Sequence, residues 1–286
     1  MKRFSFTMLL AVLMALVTAC GQSGTGTDTT GSSPAASASA PASSAAATSA
    51  AGGSVPDLGG RKVVVGTDAT YPPMESVDAQ SNQIVGCDVD VRTEIGKLAN
   101  FTPEFQNTSF DTIFTALQSK QFDAVMSSVT ITDERKKIVA FSEPYITVGQ
   151  VIVTANDNTT ITGAEMLANA QVGVQTGTTG EEAALNVGKV PDANLRRYQT
   201  IDLAFADLAN GTIDAVVVDS VPAADYSRQP QYEGKIKIVG EPFTTEDYGI
   251  AVQQGDTELL NAINAGVAQL KGNGKIDELK QTYNSK

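Results

Sequence analysis

Apolar and polar residues alternate along this chain with two different periods. Short aliphatic runs are typical of buried strands, and stretches whose apolar residues recur at helical spacing are typical of amphipathic helices. The strands are predicted at residues 62–66, 123–126, 171–175, 214–218 and 248–252. The helices are predicted at residues 89–99, 110–118, 164–168, 181–187, 202–209 and 258–270. Such alternation predicts an α/β fold with mostly parallel sheets.

One helix–strand unit occurs twice in the chain. Residues 110–128 align with residues 201–219 at a constant offset of 91, with 6 identical positions that include the Asp-Ala-Val opening both predicted strands. Two α/β units can also converge on the same pattern, so this similarity leaves an accidental match open. A true repeat predicts two similar lobes, with Ser128 and Asp219 at equivalent strand ends. Ligands of open α/β sheets bind at such ends.

The amino-terminal segment reads as a targeting signal followed by a tether. Lys2 and Arg3 precede an apolar stretch at residues 4–17, which is too short to span a membrane. The stretch ends at Val-Thr-Ala-Cys20, which resembles a bacterial lipobox, so we expect a signal peptide at residues 1–19 and lipidation of Cys20. An ordinary signal peptide with an incidental cysteine is the alternative. Residues 20–56 are predicted to form a disordered tether, because 33 of the 36 residues after Cys20 are Gly, Ala, Ser, Thr or Pro.

Composition narrows the possible chemistry. The formal net charge is −12, which argues against a nucleic-acid partner. The sequence contains no histidine and only 2 cysteines, which excludes His-based catalysis and His-rich or Cys-rich metal sites. No cofactor or metal is therefore expected. Cys87 is predicted to be a buried small apolar residue, with a reactive thiol as the minor alternative.

Two polar loops could bind an anion. The segment at residues 127–135 leaves a strand and enters a helix, so its hydroxyls and Arg135 could converge on a carboxylate. Arg135 could instead be an exposed residue of the first helical turn, although a cation is unfavourable there. The loop at residues 177–182 could present helix N–H groups, or Thr179 and Glu182 could form a capping box and nothing more.

Three further residues could complete a binding site. Asp219 ends a strand and could pair with an ammonium group, or it could cap the next helix, with Ser220 as the rival cap. Tyr71, in a loop fixed by two prolines, and Phe110 could be the walls of a pocket, although each could equally be a core residue. Together these groups match what an α-amino acid requires when it leaves water.

The folded part, from about residue 61 to residue 283, resembles the family 3 extracytoplasmic solute-binding proteins. The matching motifs, of which no single one is specific, lie at residues 66–75, 86–90, 122–135, 141–145, 173–179, 213–219 and 247–252. The resemblance implies a two-lobed, type II periplasmic-binding-protein fold in which a hinge joins the lobes around a cleft. Lobe 1 would comprise residues 57–146 and 246–286, and lobe 2 residues 147–245.

The resemblance also implies a role for individual residues. Arg135 would hold the α-carboxylate of an amino acid with Thr130 and the helix start, and Asp219 would hold the α-ammonium with the Ser128 carbonyl. The full set of implied ligand-binding residues is Asp68, Tyr71, Phe110, Ser127, Ser128, Thr130, Arg135, Gln175, Thr178, Thr179 and Asp219. This family usually has an aromatic residue at the position of Cys87, and the smaller side chain there predicts a change in the shape of the pocket.

The function implied by the resemblance is capture of an amino acid for an ABC importer. The ligand would be a polar or cationic amino acid of the Arg, Lys, His or Gln class, because Asp68, Glu75 and Asp88 put negative charge near the mouth of the first lobe. Asp88 could instead cap the helix at residues 89–99, and Glu75 could hold its own loop. The expected partners are the free amino acid, a permease with its ATPase, and a membrane through the lipid anchor, and the protein is expected to be a monomer outside the cytoplasm. A cyclohexadienyl dehydratase-like enzyme and a sensory lipoprotein are the alternatives.

Overall fold

The structure is a computed structural model, and it describes residues 54–284. The predicted signal peptide, Cys20 and nearly all of the predicted tether lie outside the described residues. The described part belongs to one compact unit. None of its helices is long and apolar enough to cross a membrane.

The aliphatic runs form strands, and central strands of the sheets, such as β10 and β12, are buried on both faces. The strands in chain order are β1 (Lys62–Thr67), β2 (Thr70–Tyr71), β3 (Glu75–Val77), β4 (Ile84–Val85), β5 (Thr102–Asn107), β6 (Ala124–Val125), β7 (Ala140–Phe141), β8 (Ile146–Val148), β9 (Gln150–Ala155), β10 (Val172–Gln175), β11 (Leu195–Tyr198), β12 (Ala215–Asp219), β13 (Ile236–Val239), β14 (Glu246–Tyr248) and β15 (Ala251–Val252). Each predicted strand is present. The one predicted at 248–252 is divided, because the chain there passes from β14 into another sheet at β15.

The helices cover the faces of these sheets. They are α1 (Cys87–Leu98), α2 (Ile113–Gln118), α3 (Asp133–Lys136), α4 (Thr179–Asn186), α5 (Ile201–Ala209), α6 (Ser220–Arg228), α7 (Thr257–Gly272) and α8 (Lys275–Asn284). The predicted helix at 110–118 begins as a 3-10 turn, Phe110–Thr112, and the one at 164–168 is a 3-10 helix, Ala164–Asn169. Helical spacing thus predicted these elements, whereas α3 and α6 were expected only as the helices that follow residues 127–135 and Asp219, and α8 was not predicted.

Two five-stranded sheets carry the fold, and they share one topology. The first has the order β5-β1-β6-β15-β7 and the second β11-β10-β12-β9-β13. In each sheet the first three strands are parallel, and the fourth is antiparallel to both of its neighbours. Four strands of each sheet therefore run in one direction. We call the part that carries the first sheet lobe 1 and the part that carries the second sheet lobe 2.

The repeated segment occupies equivalent places in the two lobes. Its first copy contains α2 and β6 and its second contains α5 and β12, and both strands lie third in their sheets. The equivalence supports a repeat over an accidental match. It places Ser128 just after β6 and Asp219 at the end of β12, so both residues lie at the carboxyl edge of a sheet.

Two antiparallel strands connect the lobes. In β8 and β14, Ile146 pairs with Tyr248 and Val148 with Glu246. Gly149 follows at once, and a Cβ atom there would lie only 2.1 Å from the Thr244 carbonyl oxygen, so only glycine lets the two connections approach this closely. The strands of the first sheet lie within residues 57–146 and 246–286 and those of the second within residues 147–245, while the lobe boundaries themselves stay a prediction.

Each lobe has its own apolar core. In lobe 1, helices α1 and α7 pack on β1 through residues that include Val65, Ile95 and Ile263, all with an exposed fraction of zero. In lobe 2, Phe205 of α5 packs on β12 and stacks on Tyr226, with the ring centres 4.1 Å apart. Because burial of large apolar side chains is the main stabilising term of a fold, these cores hold the strand ends in place.

Candidate functional site

A cavity between the lobes collects the predicted binding residues. It is lined by Tyr71, Glu75, Phe110, Ser127, Ser128, Thr130, Arg135, Gln175, Thr178, Thr179 and Asp219. Every residue implied by the family resemblance is present except Asp68, and Glu75 is added. The walls come from both sheets, so movement of one lobe relative to the other would open or close the cavity.

Arg135 provides the cationic end of the site. It lies in α3 with only 8% of its surface exposed, and its guanidinium lies over the rings of Phe110 and Phe114 at 5.4 and 5.1 Å. Nη1 donates to the Thr130 carbonyl at 2.8 Å, and Nη2 donates to the Gly177 carbonyl of lobe 2 at 3.1 Å. Burial lowers the pKa of Arg135 from its usual value. The interpretation of Arg135 as a solvent-exposed residue is therefore wrong.

Asp219 provides the anionic end. It stands at the position that caps α6, yet its side chain makes no capping hydrogen bond. Its carboxylate instead accepts hydrogen bonds from the Tyr71 hydroxyl and, at 2.9 Å, from Gln150 Nε2. Burial and the nearby charge of Glu246 raise the pKa of Asp219 to about 7, and the hydrogen bond from Tyr71 opposes this rise. A capping role for Asp219 is thus ruled out.

Two buried carboxyl groups support the loop at Ser128. Ser128 has a φ of 51°, in the left-handed region that a residue with a side chain adopts at a cost. Its N–H donates to Asp88 at 2.9 Å, and its hydroxyl donates to Glu75 at 3.3 Å. Tyr145 donates to both Asp88 oxygens. Asp88 lies inside α1 and does not cap it, which contradicts that simpler role.

Glu75 and Asp88 form a buried acidic pair. Both side chains have an exposed fraction of zero. Burial raises the pKa of Glu75 well above its usual range, and the charge of Asp88 adds to this, while burial raises the pKa of Asp88 to about 6. Hydrogen bonds from Ser128 and Tyr145 favour the ionised form of Asp88. Asp88 is therefore the better site for the charge, and Glu75 presents a neutral carboxyl group to the cavity.

Asp68 lies behind the cavity wall and reaches it through Gln175. Gln175 Nε2 donates to Asp68 Oδ2 at 2.8 Å, which joins β10 of lobe 2 to the end of β1 in lobe 1. The same oxygen accepts the Phe110 N–H at 3.1 Å, and this bond orients the start of the 3-10 turn. Burial raises the pKa of Asp68. Asp68 thus contributes negative potential beside the site without lining it.

The start of α4 differs from the capping box predicted at Thr179 and Glu182. The N-cap is Thr178, whose hydroxyl accepts the Glu181 N–H at 3.3 Å, and Glu181 reaches back to the Gly177 N–H at 2.8 Å. This arrangement is similar to a capping box that begins one residue earlier, except that Glu181 accepts from the N–H of the residue before the N-cap. The hydroxyl of Thr179 is consequently free of capping, and it bonds to Glu246 at 2.6 Å.

A larger groove opens beside this cavity and shares Thr130 and Thr179 with it. The groove has a volume of about 1000 Å³ and lies between the two lobes, with Glu246 among its lining residues. Cys87 lines neither this groove nor the cavity. It is buried in the core of lobe 1 at the start of α1, as its apolar reading predicted.

Sequence reasoning missed three residues that shape the site. Glu75 was interpreted as negative charge near the mouth of the first lobe or as a loop contact, and Gln150 and Glu246 were not considered as site residues. Gln150 had a local signal, because a polar side chain opening an aliphatic strand needs a buried partner. Glu246 had none, since its contacts with Thr130 and Thr179 join residues that are more than 60 positions apart.

Comparison with known proteins identifies the class. Residues 63–286 match the bacterial extracellular solute-binding proteins, family 3, and the chain belongs to this family. It is 35% identical over 218 residues to a putative ABC transporter arginine-binding protein of Escherichia coli (strain K12), covering 74% of this chain and 86% of that protein.

Two solved structures show the same architecture. An ancestral arginine-binding protein bound to glutamine has a TM-score of 0.73 and 39% identity, over 78% of this chain and 97% of that chain. An ancestral amino acid-binding protein, described as a precursor of cyclohexadienyl dehydratase, has a TM-score of 0.70 and 38% identity, over 78% of this chain and 95% of that chain. The predicted two-lobed periplasmic-binding-protein fold is confirmed.

Proposed function

We propose that this chain is the substrate-binding component of an amino-acid ABC importer. The observation that carries the proposal is the placement of Arg135 and Asp219 on one cavity between the lobes. An α-amino acid has a carboxylate and an ammonium group on one carbon, and removal of both from water requires a partner of opposite charge for each. The relatives that bind arginine or glutamine support this assignment.

The ligand class proposed is polar or cationic, as in arginine, lysine, histidine or glutamine. Arg135 is the only basic residue that lines the cavity, whereas the carboxyl group of Asp219 lines it and that of Asp68 lies behind it. The uneven charge disfavours a ligand with a second carboxylate and favours one with a cationic or neutral side chain. Tyr71 and Phe110 would contact the apolar stem of that side chain.

Delivery to the membrane is part of the proposal. Closure of the lobes over the ligand would present one combined surface to a permease, and the ATPase would drive release into the cell. We also propose that lipid on Cys20 anchors the protein outside the cytoplasm and that the protein is a monomer. The lipid anchor rests on the sequence alone, because Cys20 lies outside the described residues.

A thermal-shift screen tests the proposed function. The purified protein is unfolded and refolded to remove carried-over ligand, and each protein amino acid, with cystine and ornithine, is added in turn. A ligand at 100 times its dissociation constant adds about 2.7 kcal/mol of stability, which gives a clear shift. A shift with one or a few α-amino acids supports the proposal. If none shifts the transition, turnover of prephenate or arogenate would indicate the dehydratase-like alternative.

A further inference from the structure

Glu246 makes three hydrogen bonds that the proposed binding roles do not explain. Its Oε2 accepts from the hydroxyl of Thr130 in lobe 1 at 2.8 Å and from the hydroxyl of Thr179 in lobe 2 at 2.6 Å. Its Oε1 accepts from the Thr244 hydroxyl at 2.8 Å. Glu246 opens β14, one of the two connections between the lobes. A single carboxylate in the hinge thus holds a residue of each lobe.

The number of available protons decides what the two threonines can do. A hydroxyl has one proton, and it can donate that proton at full strength to only one acceptor. Thr130 and Thr179 both direct that proton to Glu246, with their own oxygens 3.2 Å apart. Neither hydroxyl can then donate to a ligand carboxylate, which is left to Arg135 and to backbone N–H groups.

The same contacts continue to the other end of the site. Gln150 is fully buried, and its Nε2 group donates to Asp219 at 2.9 Å and to Thr179 at 3.3 Å, which uses both of its N–H bonds. Asp219, Gln150, Thr179 and Glu246 therefore form one hydrogen-bonded chain. This chain links the hinge to Asp219, and Thr130 links the hinge to the other charged end, because its carbonyl accepts from Arg135.

We propose that Glu246 is an interlobe latch, a positioning residue that sets the closed geometry of the site. In this role Thr130 and Thr179 act through Glu246 and not by donating to the ligand. The test with ligand rests on the proposed function, whereas the test without ligand does not. This separates a failure of the latch from a failure of the amino-acid assignment.

The first experiment measures lobe opening without ligand. Small-angle X-ray scattering of the unit Ala50–Lys286, which matches the extent of the solved relatives, compares wild type with Glu246→Ala and with Asp247→Asn. Asp247→Asn is a matched control, because it removes the same charge one residue away. The Asp247 side chain accepts only from the hydroxyl of Thr147, which lies on the neighbouring connection. We expect a larger radius of gyration for Glu246→Ala alone. Equal radii for wild type and Glu246→Ala would overturn the latch.

Two further variants keep this test valid if Glu246→Ala does not fold. Glu246→Gln keeps an oxygen that can accept a threonine proton, so we expect it to open the lobes less than the alanine variant. Thr179→Val removes the donor side of the same contact with little change in shape, and we expect it to open the lobes as well. Closed lobes in both variants would contradict the proposal.

The second experiment measures coupling with L-arginine as the probe, by isothermal titration calorimetry. Thr179→Val is made in wild type and in Glu246→Ala. If the Thr179 hydroxyl acts through Glu246, Thr179→Val should weaken arginine binding severalfold in wild type but less than about twofold in Glu246→Ala, because the effects of contacting residues are coupled. The same loss in both backgrounds, or none in wild type, would overturn the latch. A wild type that binds no amino acid would refute the proposed function and leave the scattering test intact.

Discussion

The hydroxyl of Tyr71 in lobe 1 donates a hydrogen bond to the carboxylate of Asp219 in lobe 2. Both residues are buried, so the bond forms where water does not compete. It joins the lobes at the point where an ammonium group would bind, and it stabilises the ionised form of Asp219. This contact therefore couples the charge state of Asp219 to one of the hydrogen bonds that join the lobes.

Replacement of Tyr71 by phenylalanine should raise the pKa of Asp219 above its value of about 7, because the hydrogen bond that favours the ionised carboxylate is lost. The pH at which ligand affinity reaches half of its maximum should move upward. Affinity measured over a pH series checks this. Tyr226→Phe is the matched control, since the Tyr226 hydroxyl donates to the Thr70 carbonyl and not to Asp219. An unchanged midpoint in Tyr71→Phe would refute the prediction.

Ligand binding below neutral pH should release a proton. Asp219, with a pKa of about 7 against a usual value of 3.8, is largely protonated at about pH 6, and an ammonium partner requires its ionised form. Affinity should thus rise with pH up to about 7. Calorimetric titrations at about pH 6 in two buffers of different ionisation enthalpy measure the proton released. Asp219→Asn should release none, and a wild type that also releases none would contradict the assignment.

Loss of either charged end should weaken binding strongly. Arg135→Ala or Asp219→Ala leaves one ligand charge buried without a partner, which typically costs about 2–5 kcal/mol, or roughly 30-fold to several thousand-fold in affinity. Isothermal titration with the best ligand of the screen gives the two affinities. Arg197→Ala is a suitable control, because that arginine pairs with Glu181 and Asp192 at the surface and not in the cavity. Wild-type affinity in either cavity variant would refute its role.

Glu75 should tolerate replacement by glutamine better than Asp88 tolerates asparagine. Glu75 is held neutral by burial and by the charge of Asp88, so an amide preserves its state, whereas Asp88 accepts the Ser128 N–H and two contacts from the Tyr145 hydroxyl as a carboxylate. We expect Glu75→Gln to change the free energy of unfolding by less than about 1 kcal/mol and Asp88→Asn to lower it by more. Urea unfolding measures both, and the reverse order would show that Asp88 carries the proton.

Most of the fold could be predicted from the sequence, because the patterns that indicate strands and helices are local. Aliphatic runs and helical spacing located the main strands and helices, and the repeated segment at residues 110–128 and 201–219 placed Ser128 and Asp219 at equivalent strand ends. Strands such as β7, with two residues, and the helix α3, with four, are too brief to show a period, so β7 was missed and α3 was expected only as a helix start after the loop.

The candidate site was predictable only where the family motifs reach it. The charged ends, Arg135 and Asp219, stand in such motifs, and the structure brings them to one cavity. The network behind them depends on residues distant in the chain, as in the contact of Glu246 with Thr130 or of Gln150 with Asp219. Local pattern also misassigned the start of α4, since both Thr178 and Thr179 can cap a helix and only the backbone geometry selects Thr178.

The most direct test of the two-charge site uses ligands that lack one charge. Isothermal titration of the refolded protein with L-arginine is compared with agmatine, which lacks the α-carboxylate, and with Nα-acetyl-L-arginine, which lacks the α-ammonium charge. The account predicts that L-arginine binds and that each analogue binds at least about 30-fold more weakly, because Arg135 or Asp219 is left without its partner. If L-arginine binds and either analogue binds equally well, the charged end that it lacks does not hold the ligand, and the account is contradicted.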